Sequence, residues 1–196
     1  MKRIVVLLFV MLCAGKLPAQ GNLTDCINDT FIHMDSLAAI GKSAFEEWKK
    51  CVLDKQLPEF TATNISGETI GTGMLKEKVV VINFWSINCL PCIAELPGLN
   101  KLVRDYKGKD VVFLAITWES VERIRKDFLK KYRFDFMIVP EALRVINKIA
   151  ASGYPTTYII DKTGIIKAAW SGGSTGKNAG EEYYGKARPV IDRLLK

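Results

Sequence analysis

The run Lys78-Val79-Val80-Val81-Ile82-Asn83-Phe84 constrains this chain more than any other segment. A near-continuous β-branched run suits a strand covered on both faces, because a strand with one wet face alternates polar and apolar positions. Cys89-Leu90-Pro91-Cys92 follows after a short connection, and a helix is expected from about Leu90 to Tyr106. Further along, Val111 to Thr117 reads as a second buried strand, Ser120 to Tyr132 as a charged amphipathic helix and Phe136 to Val139 as a short strand. Glu141 to Ala150 reads as a helix opened by Pro140. Thr156 to Ile160 and Ile165 to Trp170 flank the turn Asp161-Lys162-Thr163-Gly164, a hairpin. The loop Ser171 to Gly180 leads into a closing helix from about Glu181 to Leu195. Strands that alternate with helices and finish in a hairpin predict an α/β fold, with a mixed central sheet flanked by helices on both faces.

The chemistry is concentrated at the two cysteines. Unpaired N–H groups and the helix dipole converge on a first helical turn, so a sulfur there is better held as thiolate than as thiol. Bringing a thiol from about 8.5 to about 7 takes roughly 2 kcal/mol of preference for the anion, which a helix start largely supplies. Cys89 sits at the mouth of the expected helix, and Cys92 one turn inward, more buried and less acidic. Pro91 fits the first turn, where its missing N–H costs nothing. This asymmetry predicts a cycle. Cys89 attacks a substrate disulfide, Cys92 resolves the mixed disulfide, and an internal bridge remains. Glu95, one turn beyond Cys92, is placed to take the Cys92 proton directly or through water.

Two rival chemistries fit less well. Structural zinc wants four ligands, and Cys89 with Cys92 supplies two; the chain has one histidine, His33, outside this region. No metal is therefore expected. A peroxide-reducing thiol enzyme would want a lone reactive cysteine, whereas Cys92 offers a local partner. An inert module with a structural Cys89–Cys92 bridge remains the alternative to an enzyme.

The N-terminus reads as an address. Met1-Lys2-Arg3 is a positive head, Ile4 to Ala14 is uncharged and apolar, and Gly15 to Ala19 ends on a small residue before Gln20. Eleven apolar residues make a helix of roughly 16 Å, short of a hydrocarbon core of about 30 Å. Cleavage near Ala19/Gln20 and export are expected, with membrane anchoring the lesser reading. Lys2, Arg3 and Lys16 account for three of the net +7 charges, leaving +4 spread along the mature chain. With no basic run interleaved with aromatics, nucleic acid is not an expected partner. Cys13 leaves with the leader, so four cysteines remain in a compartment where thiols tend to pair. The short spacing of Cys89 and Cys92 favours a local bridge between them, which leaves Cys26 for Cys51. Such a bridge would staple a helical hairpin over residues 20–56, two helices broken at Gly41. It is worth roughly 3.5 kcal/mol in the chain-entropy view.

Several pieces together carry a family likeness: Leu57-Pro58-Glu59-Phe60, the strand into Phe84-Trp85, the Cys89–Cys92 pair, Glu95 with Pro97, Gly153-Tyr154-Pro155-Thr156, and the Asp161 to Gly164 turn. From about Leu57 to Lys196 the chain resembles the exported thioredoxin-like thiol–disulfide oxidoreductases of the TlpA/ResA type, in the AhpC/TSA-related thioredoxin superfamily. With the leader and the helical pattern already read from the residues, the chain divides into three segments: a signal peptide over 1–19, a helical extension over 20–56 and, as the resemblance implies, a thioredoxin-like domain over 57–196. It implies a cis Tyr154–Pro155 bond facing the cysteines, with Trp85, Tyr154, Pro155 and Thr156 forming the substrate groove. It places Glu95 as the acidic residue near the site, with Asn83 where cytosolic thioredoxins carry a buried Asp. No cofactor beyond the Cys89–Cys92 disulfide is implied. The implied partners are protein thiols and disulfides and a membrane or exported electron donor, and the implied compartment is the periplasm. Asn88 stands where these proteins usually carry Trp or another bulky residue, and Tyr154 where a smaller aliphatic is common. The absence of a histidine between the sulfurs favours a reductant over a strong oxidant.

Overall fold

In the computed structural model the described residues are 22–196. The leader expected over 1–19, its Ala19/Gln20 cleavage point and Cys13 lie outside them.

A five-stranded mixed sheet forms the centre. Its strands are β3 (Val79–Phe84), β4 (Val111–Ile116), β5 (Met137–Val139), β6 (Thr156–Ile160) and β7 (Ile166–Ser171), in the order β5-β4-β3-β6-β7. The separate hairpin of β1 (Thr61–Thr63) and β2 (Thr69–Gly71) precedes it. β3 pairs in parallel with β4 and antiparallel with β6. All six of its residues are buried, as a central strand with both faces covered requires. Alternation divides them. Val79 and Val81 join one apolar cluster, while Val80, Ile82 and Phe84 join the other.

The first cluster is covered by α4 (Leu90–Asp105) and α7 (Ala179–Leu195), through Leu96, Leu99, Tyr183 and Ile191. The opposite face is covered by α1 (Leu23–Phe31), α3 (Ala44–Val52) and α6 (Leu143–Ile149). Between α1 and α3 lies a short α2 (Met34–Ala39), so the N-terminal region holds three helices where two were expected. Gly41, at φ +72°, is in the second of its two breaks. Cys26 of α1 and Cys51 of α3 are disulfide-bonded, with Cα atoms 5.6 Å apart. Trp48 of α3 stacks on Tyr158 of β6, and its Nε1–H donates to the Ala150 carbonyl at 3.1 Å. The hairpin is therefore a layer of the fold.

The helix expected over Ser120 to Tyr132 is shorter. A single turn, α5 (Val121–Arg123), passes into a π turn over Ile124–Phe128 and stops. Ile124 and Phe128 are its only fully buried apolar anchors, and the chain then turns to deliver Phe134 and Phe136 to the same cluster. The strands β1 and β2 are three residues each, with β2 ending in glycine, too short for alternation to announce the second of them.

Candidate active site

Cys89 is the N-cap of α4, partly exposed, and Cys92 is buried behind it. The Cys92 N–H donates to Cys89 Sγ at 3.2 Å, the contact expected of a sulfur set to receive first-turn N–H groups. The two sulfurs are bonded to each other, with Cα atoms 5.2 Å apart. Beside Cys89 runs a groove of about 410 Å³ lined by Asn88, Leu90, Ile93, Arg123, Lys131 and Tyr132, among others. Leu90 stands 71% exposed on its rim.

Glu95 is buried one turn below Cys92, and its Oε2 has no hydrogen-bond partner. Burial drives its carboxyl up to about 8, with the Lys186 charge pulling the other way. A Cβ at Gly173 would collide with Glu95 Oε1 and sit 3.2 Å from Pro155 Cγ. The loop after β7 thus lies directly against both residues, and any side chain there must displace the carboxyl. Nearby is a buried polar group: Asn83 Nδ2 donates to Thr157 Oγ1 at 3.2 Å, and the Thr157 and Tyr183 hydroxyls are 3.2 Å apart. Burial pushes the Tyr183 phenol far above its ordinary range, and the charge of Glu95 adds to the effect.

The Tyr154–Pro155 bond is cis. Tyr154 is half-buried, and among the described residues no hydrogen bond within the protein engages its main chain. Pro155 is buried, and its carbonyl accepts from Gly172 N–H at 2.8 Å.

Two of the expected groove residues are placed differently. Trp85 is 1% exposed and packed against Phe128 and Phe134, with ring centroids 4.5 and 5.3 Å away. It supports the cysteine turn from below and has no surface to offer a substrate. Thr156 is fully buried in β6, paired with Phe84 on one side and Ser171 on the other; its hydroxyl donates to the Gly153 carbonyl at 2.9 Å. Its side chain fastens the proline loop from within. The sequence reading missed Gly173 and the buried carboxylate of Glu119. Glu119 follows β4 at the carboxyl end of the sheet, where open α/β sheets carry their sites, and that position was the available signal.

Residues 53–169 match the AhpC/TSA family. The chain belongs to that family. It is 32% identical over 146 residues to a thiol-disulfide oxidoreductase ResA of Bacillus cereus, a match covering 74% of this chain and 84% of that protein. It is 33% identical over 126 residues to the thioredoxin-like protein YneN of Bacillus subtilis, covering 63% and 74%. Among solved structures, the thioredoxin domain of a thiol-disulfide oxidoreductase from Bacteroides vulgatus superposes with a TM-score of 0.59 at 20% identity, covering 71% of this chain and 97% of that one. At that identity the likeness speaks for the fold. The thioredoxin-like architecture follows, and with the curated relatives the chain is an enzyme of the thiol–disulfide oxidoreductase class.

Proposed function

We propose that the protein is an exported reductase of protein disulfides that works through Cys89 and Cys92. The observation that carries the reading is the asymmetric pair: a partly exposed sulfur capping α4, bonded to a buried one that sits one turn above a buried carboxyl. In the reduced enzyme, Cys89 thiolate attacks one sulfur of a substrate disulfide, and the other substrate sulfur leaves as a thiolate. Cys92 then gives its proton to Glu95 and attacks Cys89 Sγ. The second substrate thiolate departs, and two electrons have passed from the enzyme to the substrate. Glu95 with its carboxyl raised to about 8 in the bridged form supports this order, since that is where the proton rests once Cys92 is bonded. An exported or membrane dithiol donor returns the electrons, with Glu95 protonating the departing Cys92.

The substrate segment lies extended against the free main chain of Tyr154. Export rests on the positive head, apolar stretch and small-residue exit of residues 1–19. Among the described residues no helix is long and apolar enough to cross a membrane.

The test is insulin reduction with dithiothreitol. Wild type accelerates turbidity, Cys89→Ala does not, and Cys92→Ala accumulates a mixed disulfide that trapping and mass spectrometry identify. Equal rates for wild type and Cys89→Ala would leave the inert binding module as the better account.

A further inference from the structure

Among the described residues only two carboxylates are buried, Glu95 and Glu119. Glu119, 1% exposed, takes no part in the cycle above, yet it reaches the turn that carries the nucleophile. Its Oε1 accepts from the Ile87 N–H at 3.3 Å. Ile87 lies inside the turn closed by Cys89 N–H donating to the Ser86 carbonyl at 3.2 Å. The other oxygen, Oε2, accepts from Arg123 Nη1 at 2.7 Å, a charge-assisted contact from α5. Glu119 is itself held, its own N–H donating to Thr117 Oγ1 at 3.2 Å. Arg123 is half-exposed and lines the groove with Asn88 and Leu90, the residues on either side of Cys89.

We propose that Glu119 and Arg123 are positioning residues, a charged latch that fixes the Ser86–Cys89 turn and balances the local field in which the Cys89 thiolate forms. The inference rests on Cys89 being the attacking sulfur. A burial this deep would be costly for a carboxylate without a partner, and Arg123 supplies one. The remaining charged and titratable groups around the latch are few. Tyr154 faces Glu119 from the proline loop, its phenol raised by burial and further by the Glu119 charge. Asp127 and Lys131 line the same groove as Arg123, and Glu95 lies below on α4. The two members of the latch have opposite signs, so removing either leaves the other uncompensated near Cys89. Glu119→Gln keeps an acceptor for Ile87 and leaves the cation, which favours the thiolate. Arg123→Gln leaves the anion, which disfavours it.

The experiment is alkylation of the reduced full-length protein by iodoacetamide against pH, with the modified cysteine located by mass spectrometry. The Cys89 midpoint falls by about 0.5 pH unit in Glu119→Gln and rises by a similar amount in Arg123→Gln. The double variant returns to within about 0.2 pH unit of wild type, since its two changes cancel. Equilibration with glutathione gives a second readout: the pair is more readily reduced in Glu119→Gln and less readily in Arg123→Gln. A residue that merely braces the turn would move both single variants the same way and make the double variant worse. That pattern, or unchanged midpoints, overturns the latch. Alkylation starting at Cys92 in wild type would instead overturn the assignment of the attacking sulfur, and the latch with it.

Discussion

Glu95 holds a proton that its unfolded counterpart has lost over most of the neutral range. Its folded carboxyl titrates at about 8 against an ordinary value of 4.5. Between those limits the folded state binds more protons than the unfolded state, so stability falls as pH rises from 4.5 and levels off above 8. A shift of that size corresponds to a loss on the order of 5 kcal/mol. Glu95→Gln removes the titrating group. Relative to wild type it should therefore gain stability between about pH 5 and about pH 8.5, a Tm difference that opens by roughly 10 °C in thermal melts. The same variant should slow resolution of the mixed disulfide while leaving the first attack nearly intact, read by stopped-flow with a fluorescent substrate. A flat stability difference would mean the carboxyl is ionised in the fold. Unchanged resolution would remove it from the cycle.

At the scale of elements, the helix capped by Cys89 is held by an unusually close approach. A Cβ on Gly98 of α4 would run into the Gly180 carbonyl of α7, and one on Gly180 would sit 3.1 Å from Pro97 Cβ. Gly98→Ala must push the two helices apart and should cost about 2–3 kcal/mol, seen as a lower urea midpoint with an unchanged slope. Since α4 carries Cys89 on its cap, insulin reduction should slow as well. These elements differ in how plainly the sequence announces them. The β-branched density of β3 is a local property, as is the turn chemistry of the β6–β7 hairpin, where Asp161 Oδ1 accepts from Thr163 and Ile165 N–H at 2.9 and 3.0 Å. The cysteine pair at the start of α4 is equally local. The role of Trp85 is not, because an aromatic beside an active turn reads the same whether it faces solvent or leans on Phe128 and Phe134. Nor is Glu119: Arg123 is only four residues on, but the Ile87 N–H that donates to the carboxylate comes from a distant segment. The early end of the helix after Arg123 was hidden for a similar reason: the competing pull of Phe134 and Phe136 toward the core is tertiary.

For the whole molecule, the stapling of the N-terminal helices and the proposed redox chemistry fall to different disulfides. Cys26 and Cys51 join α1 to α3 beneath the sheet face lined by Val80, Ile82 and Phe84, while Cys89 and Cys92 lie at the start of α4 on the other side. Replacing both Cys26 and Cys51 by Ala should lower stability by about 3–4 kcal/mol in denaturant titrations and leave the insulin rate at about 25 °C within about twofold of wild type. Loss of activity in a variant that keeps its fold would make the hairpin part of the site.

Trp48 lying on Tyr158 also decides where this chain can be shortened. Leu23, Cys26, Trp48 and Val52 share one apolar cluster with the sheet. A fragment starting at Leu57 would keep Cys89, Cys92 and Glu95 yet display a bare greasy wall, with the Tyr158 ring laid open to water. Recombinant work on the redox half alone would meet clumping and inclusion bodies, unless the stapled helices were supplied in trans or the wall repainted with polar side chains.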